Sequence, residues 1–154
     1  MNKKTFKLLG LILITIMCFS FNSSTNDYKE NSHFSTVIDY QDSRLKKSME
    51  AGKRVYERAC TVCHQSEGQG IRSVFPPIAK SDYLMKDLNR SIRELITGSS
   101  GEITVNGIKY NGVMPATGLN DKDIADVLNY IRNSWGNKGK MVTPAMVYTV
   151  RKGK

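Results

Sequence analysis

A chain of 154 residues has room for one domain with a modest core, and nothing in it repeats. Lys and Arg number 23 against 14 Asp and Glu, a formal charge of +9 that favours docking to an acidic partner or loose association with an anionic membrane surface. Nucleic acid is excluded as a partner, because no block interleaves Lys or Arg with aromatic residues and the chain opens on an export signal.

That signal occupies residues 1–21. Lys3, Lys4 and Lys7 precede the apolar run from Leu8 to Met17, and smaller residues follow. The run is short for a membrane span. A cut after Ser20, with Cys18 and Ser20 in the small-residue positions, releases an exported, periplasmic protein. A lipid on Cys18 or an uncleaved, membrane-anchoring leader are the alternatives, and all three place the domain outside the cytoplasm. Removing the leader takes away three of the nine net positive charges and leaves +6. Residues 22–42 are rich in Ser, Asn and Thr with no sustained apolar period, so they are expected to form a flexible linker, with His33 a solvated residue in it. The domain proper is expected to run over 43–154, with a C-terminal extension from about 137.

From Ser43 to Ala59, Leu45, Met49, Gly52, Tyr56 and Ala59 recur at helical intervals among charged residues, which predicts an amphipathic helix. Gly52 is unfavourable in mid-helix by about 1 kcal/mol, and close approach by another helix would account for it. The helix leads into Cys60-Thr61-Val62-Cys63-His64. C-x-x-C-H is the attachment signature of a c-type haem. Two thiols three residues apart share one side of a helical turn and can add to the two vinyl groups of one porphyrin, while the next residue brings an imidazole under the iron. Zinc fits poorly, since a closed site wants four ligands and the chain offers only His33 and Cys18 besides these three. A thiol redox motif is expected beside a βαβ pattern, which is missing here.

Gln65 to Gly70 reads as a loop, followed by Phe75-Pro76-Pro77-Ile78. A rigid proline turn can aim a carbonyl at the Nδ1 proton of the proximal histidine, and Pro76 is the candidate. Ser81 is expected to cap a short helix through Lys86, and Asn89 a second one bearing Ile92, Leu95 and Ile96 on its inner face and stopping at Gly98. Ile103-Thr104-Val105, Asn106-Gly107 and Ile108-Lys109-Tyr110 predict a β-hairpin near 103–110 in an otherwise all-α domain. Asn120 or Asp121 starts the clearest helix, with Ile124, Val127, Leu128, Ile131 and Trp135 in helical register and Gly136 at its end. Thr143-Pro144 predicts a brief terminal helix. For the sixth position of the iron, Met85 in a short helix is better explained by core filling. Met114 is expected in a loop stiffened by Pro115 and is the preferred ligand.

These features together resemble class I, single-haem cytochromes c over about residues 43–136: Gly52-x-x-x-Tyr56 running into Cys60–His64, the Pro76-Pro77-Ile78 turn, Met114-Pro115, and Leu128-Asn129-Tyr130-Ile131. The wording around Phe75–Leu84, Tyr110–Pro115 and Ile131–Gly136 is similar to cytochrome c domains fused to, or serving, bacterial copper nitrite reductases and other respiratory or quinoprotein enzymes. The resemblance implies the class I fold, first and last helices crossing near Gly52 and Tyr130, and His64 and Met114 as iron ligands. Lys80 departs from it, where related chains often have Gly. The expected function is one-electron transfer by one covalently bound haem c, with iron as its metal and no substrate transformed. Its expected partners are redox proteins such as an oxidase, nitrite reductase or dehydrogenase, met as a monomer or as a subunit of one complex. A five-coordinate haem enzyme or sensor is the rival, and no distal His–Arg pair supports it.

Overall fold

The computed structural model describes the backbone of residues 27–153 and the side chains of residue 37 and of residues 39–153. The export signal with Cys18 and Ser20, the start of the predicted linker and the side chain of His33 lie outside the described residues. Two compact units divide the chain, Met1–Val37 and Ile38–Lys154. Of the first, residues 27–37 are helical. The second holds the rest of that helix and every other described element.

Helix α1 spans Asp27–Ala59, beginning well before the expected Ser43. Residues 39–44 are all exposed, and inward-facing side chains begin at Leu45. From residue 27 on, the stretch predicted as linker is helical backbone, and its described side chains, residue 37 and residues 39–42, are all exposed. On the inner face Val55 and Tyr56 are buried, while Ala59 is exposed. Then come α2 (Thr61–His64), α3 (Asp82–Lys86) and α4 (Leu88–Thr97). Ser81 caps α3 by accepting from the Leu84 N–H. Asp87, not Asn89, caps α4, accepting from the Arg90 N–H at 3.0 Å. Both residue types suit a cap, but Asp87 has the extended backbone that ends α3 and frees its carboxylate for the next helix.

Strands β1 (Ser99–Val105) and β2 (Ile108–Met114) pair antiparallel across Asn106-Gly107, with Ser99 opposite Met114 and Val105 opposite Ile108. The hairpin is thus longer at both ends than the predicted 103–110. Its tip is held by reciprocal bonds, Asp82 N–H to Asn106 Oδ1 at 3.1 Å and Asn106 N–H to Asp82 Oδ1 at 2.8 Å. Helix α5 (Asp121–Ile131) is capped by Asn120 and buries Ile124, Val127 and Leu128. It stops before Trp135, because the Asn133 and Asn137 amides donate to the Asn129 and Ile131 carbonyls that a further turn would have used.

Helices α1 and α5 meet at Gly52. A Cβ there would overlap the Asp126 carbonyl and lie 2.9 Å from the Tyr130 Cβ, so only glycine permits the crossing. The Tyr56 ring packs on Tyr130 and Trp135 with centroids 5.6 and 5.0 Å away. Lys80 adopts φ 49°, a left-handed backbone that glycine accepts more cheaply.

The C-terminal extension is part of the core. Thr143 caps α6 (Pro144–Lys152), Pro144 opens it, and Val142 and Val147 are 1% and 0% exposed. One fully buried amide joins it to the rest: Asn129 Nδ2 donates to the Val142 carbonyl at 2.8 Å and to Ser48 Oγ at 2.9 Å, and the Val142 N–H donates to Asn129 Oδ1 at 2.7 Å. Ser48 in turn donates to Asp126. An Asn129→Ala substitution strands both backbone groups of Val142 away from water. It is expected to cost about 2–4 kcal/mol, read as a lowered denaturant midpoint in urea titration.

Candidate cofactor cavity

The turn after α1 is closed by Cys63 and His64 N–H groups donating to the Cys60 carbonyl. This brings Cys60, Cys63 and His64 to the wall of one cleft, whose atom-free space, including its open mouth, is about 1220 Å³. Both cysteines are half-buried free thiols. Burial, and next the neighbouring Cys63, push the Cys60 thiol up to about 11. The His64 imidazole lies 3.0 Å from the Pro76 carbonyl through Nδ1, and burial lowers its proton affinity despite that bond. With Nδ1 donating, the Nε2 lone pair is free to bind a metal.

The opposite wall is the hairpin. Strand periodicity puts Ser99, Gly101, Ile103 and Val105 of β1 on the same face as Tyr110, Gly112 and Met114 of β2, and all seven line the cleft. Met114 is therefore the last residue of β2, not a loop residue as expected. The Tyr110-Asn111-Gly112 stretch before it is paired strand. Among the described methionines only Met114 lines the cleft; Met85 is half-buried elsewhere on α3. The predicted 103–110 hairpin forms the middle of this wall; its extension to Ser99 and Met114 is not legible in the sequence, because Tyr110 to Met114 does not alternate apolar and polar residues.

Gly101 and Gly112 face each other across the strands, and a Cβ on either would meet no protein atom within 4 Å. The gap they leave, between Met114 and Tyr110, is where a flat group can lie against the sheet. Elsewhere the walls are mainly apolar, with side chains such as Phe75, Ile78, Leu95 and Leu128, and among the described residues no Lys or Arg lines the cleft. The residues fit a porphyrin: two thiols and an imidazole on one wall, a thioether on the other, and apolar surface between. Among the described residues, no group of three or more His, Cys, Asp or Glu side chains is arranged to hold a bare metal ion. On α3 and α4 the Tyr83 hydroxyl donates to Glu94 Oε1 at 2.7 Å and the Arg90 guanidinium lies 3.6 Å over the Tyr83 ring. Burial and the Glu94 bond push the Tyr83 phenol up to about 12. Filling the glycine gap is expected to block the site: a Gly112→Leu protein should carry less than about a tenth of the wild-type haem per chain by absorbance, its side chain occupying space the ligand needs.

A cytochrome c family model matches residues 49–135. The chain is 43% identical over 95 residues to cytochrome c-552 of Thermus thermophilus, an alignment covering 58% of this chain and 72% of that one. It is 32% identical over 89 residues to the cytochrome c subunit of the quinone alcohol dehydrogenase of Gluconobacter oxydans, covering 56% and 19% of the two chains. It is 33% identical over 129 residues to the gluconate 2-dehydrogenase cytochrome c subunit of Pantoea cypripedii, covering 77% and 29%. It thus spans under a third of either dehydrogenase subunit.

Proposed function

Because this chain belongs to the cytochrome c family, we propose that its cleft holds one haem through thioether bonds from Cys60 and Cys63, with His64 and Met114 as the axial iron ligands. The protein is a single-haem electron carrier between redox partners. Haem c supplies the one-electron Fe(III)/Fe(II) couple. The rest is the work of the chain. Cys60 and Cys63 would hold the haem covalently through their sulfurs. Pro76 holds the His64 ring by its Nδ1 proton and raises the electron donation of Nε2. Met114 presents a soft, neutral sulfur that favours the ferrous state, and the apolar walls exclude water and penalise the additional charge of the ferric state.

The observation that carries this reading is that Cys60, Cys63, His64 and Met114, from two distant segments, line one apolar cleft. With His64 and Met114 both bound to the iron, no position would remain open for a substrate. The leader supports export to the periplasm, and the +6 surface supports an acidic redox partner. Likeness to dehydrogenase cytochrome subunits favours a second reading, a fixed electron port of one dehydrogenase complex. Co-purification that survives high salt would select the port over the shuttle. Mass spectrometry of the purified protein is the test of the haem itself. One covalent haem per chain is expected, and a bare polypeptide mass would overturn the reading.

A further inference from the structure

Arg132 follows the last residue of α5 and is 8% exposed, so its guanidinium lies inside the protein. Charged side chains are rarely buried that far unless an opposite charge meets them. Arg132 has no such partner: it forms no ion pair among the described residues, and burial, with no charged neighbour contributing, lowers its pKa. Its Nη1 donates to the Leu84 carbonyl at 3.0 Å, while Nε is buried with no partner. The chain at Gly139 packs against the group, since a Cβ there would stand 3.1 Å from Nε.

Structural roles do not explain a charge at this position. The Leu84 carbonyl already accepts from Ser91 Oγ at 3.2 Å, and the carbonyl end of α5 offers a cation only about half a charge. A buried guanidinium without a counter-charge is destabilising, and an apolar side chain of similar length would suit the fold better.

The surroundings give that charge something to act on. Ile131, the preceding residue, and Leu84, whose carbonyl Arg132 holds, both line the cleft, whereas Arg132 does not. The guanidinium therefore stands behind the cleft wall, where it does not touch a bound group but its field reaches it. Between buried groups that field is screened much less than between surface charges.

Resting on the haem reading above, we propose that Arg132 is a redox-tuning residue whose uncompensated charge acts through the cleft wall to disfavour ferric iron and raise the midpoint potential. Ferric iron carries one positive charge more than ferrous, and a fixed cation nearby opposes that extra charge. The guanidinium keeps its proton at any working pH, so the effect does not titrate away.

The test is a potentiometric titration of two holoprotein variants, with the oxidised spectrum recorded for each. In one, Arg132 is replaced by citrulline, which keeps the shape and N–H donors and loses the charge. The other, Arg132→Lys, keeps the charge and loses the guanidinium fork. The citrulline protein is expected to show a ferric-to-ferrous ratio about threefold higher at fixed poise, about 28 mV for a one-electron couple, with its sulfur-to-iron band unchanged. The lysine protein is expected to keep the wild-type potential and band. An unchanged potential with citrulline, or an equal shift with lysine, overturns the assignment to charge and leaves the haem reading standing. A shift that comes with a changed band marks altered ligation and overturns it as well. Wild-type protein without covalent haem overturns both.

Discussion

Met114→Ala is expected to keep its haem covalently attached and to lower the midpoint potential by on the order of 0.2 V, a part of the ~0.8 V range that axial ligands command. The thioether is the soft donor offered from the hairpin wall, and no second methionine among the described residues lines the cleft to replace it. Loss of the sulfur therefore leaves the sixth position to water or to an added ligand. The sulfur-to-iron charge-transfer band should vanish from the oxidised spectrum and cyanide should bind faster. Attachment persists because Cys60 and Cys63 belong to the other wall. An unchanged band together with an unchanged potential would exclude Met114 as the ligand.

The largest loss of stability is expected at Gly52. A Gly52→Val side chain meets the backbone carbonyl of Asp126, which cannot rotate away as a side chain could, and the Tyr130 Cβ at 2.9 Å. The two helices have to separate. Separation opens the contact between Val55 or Tyr56 and α5, and it strains the Ser48–Asn129 bond one turn away. A cost on the order of 4 kcal/mol is expected, in the range of severe core overpacking. Urea titration of the holoprotein, followed by far-ultraviolet circular dichroism, measures it. A midpoint within experimental error of wild type would show that the helices do not cross at this residue.

Local chemistry was legible where one residue type does one job. Asn106-Gly107 turns a hairpin because both residues take positive φ, 49° and 77°, and Ser81, Asn120 and Thr143 cap helices because their side chains reach an unpaired N–H. The Cys60–His64 spacing named its cofactor before any geometry did. Legibility failed where tertiary pairing overrode propensity. Ser99, Ser100, Gly101 and Gly112 have little preference for strand, and their extended state comes from the partner across the ladder, so Met114 read as loop. Trp135 keeps the helical register of Ile124 and Leu128, but two asparagine side chains end α5 first. Val55 stands outside the helical stripe of Leu45, Met49, Gly52, Tyr56 and Ala59; it is buried in the core cluster that includes α5, which no local pattern announces. The extension after 137 seemed peripheral because its anchor, Asn129, is a polar residue in an apolar helix.

That anchor has a consequence for how the molecule breathes. Through one amide, Asn129 ties a serine of the first helix to the carbonyl and N–H of a segment near the other end of the chain. The two termini of the domain therefore belong to a single opening unit. Amide protons near Ser48 and Val142 are expected to exchange with solvent in one event, which native-state hydrogen exchange would read.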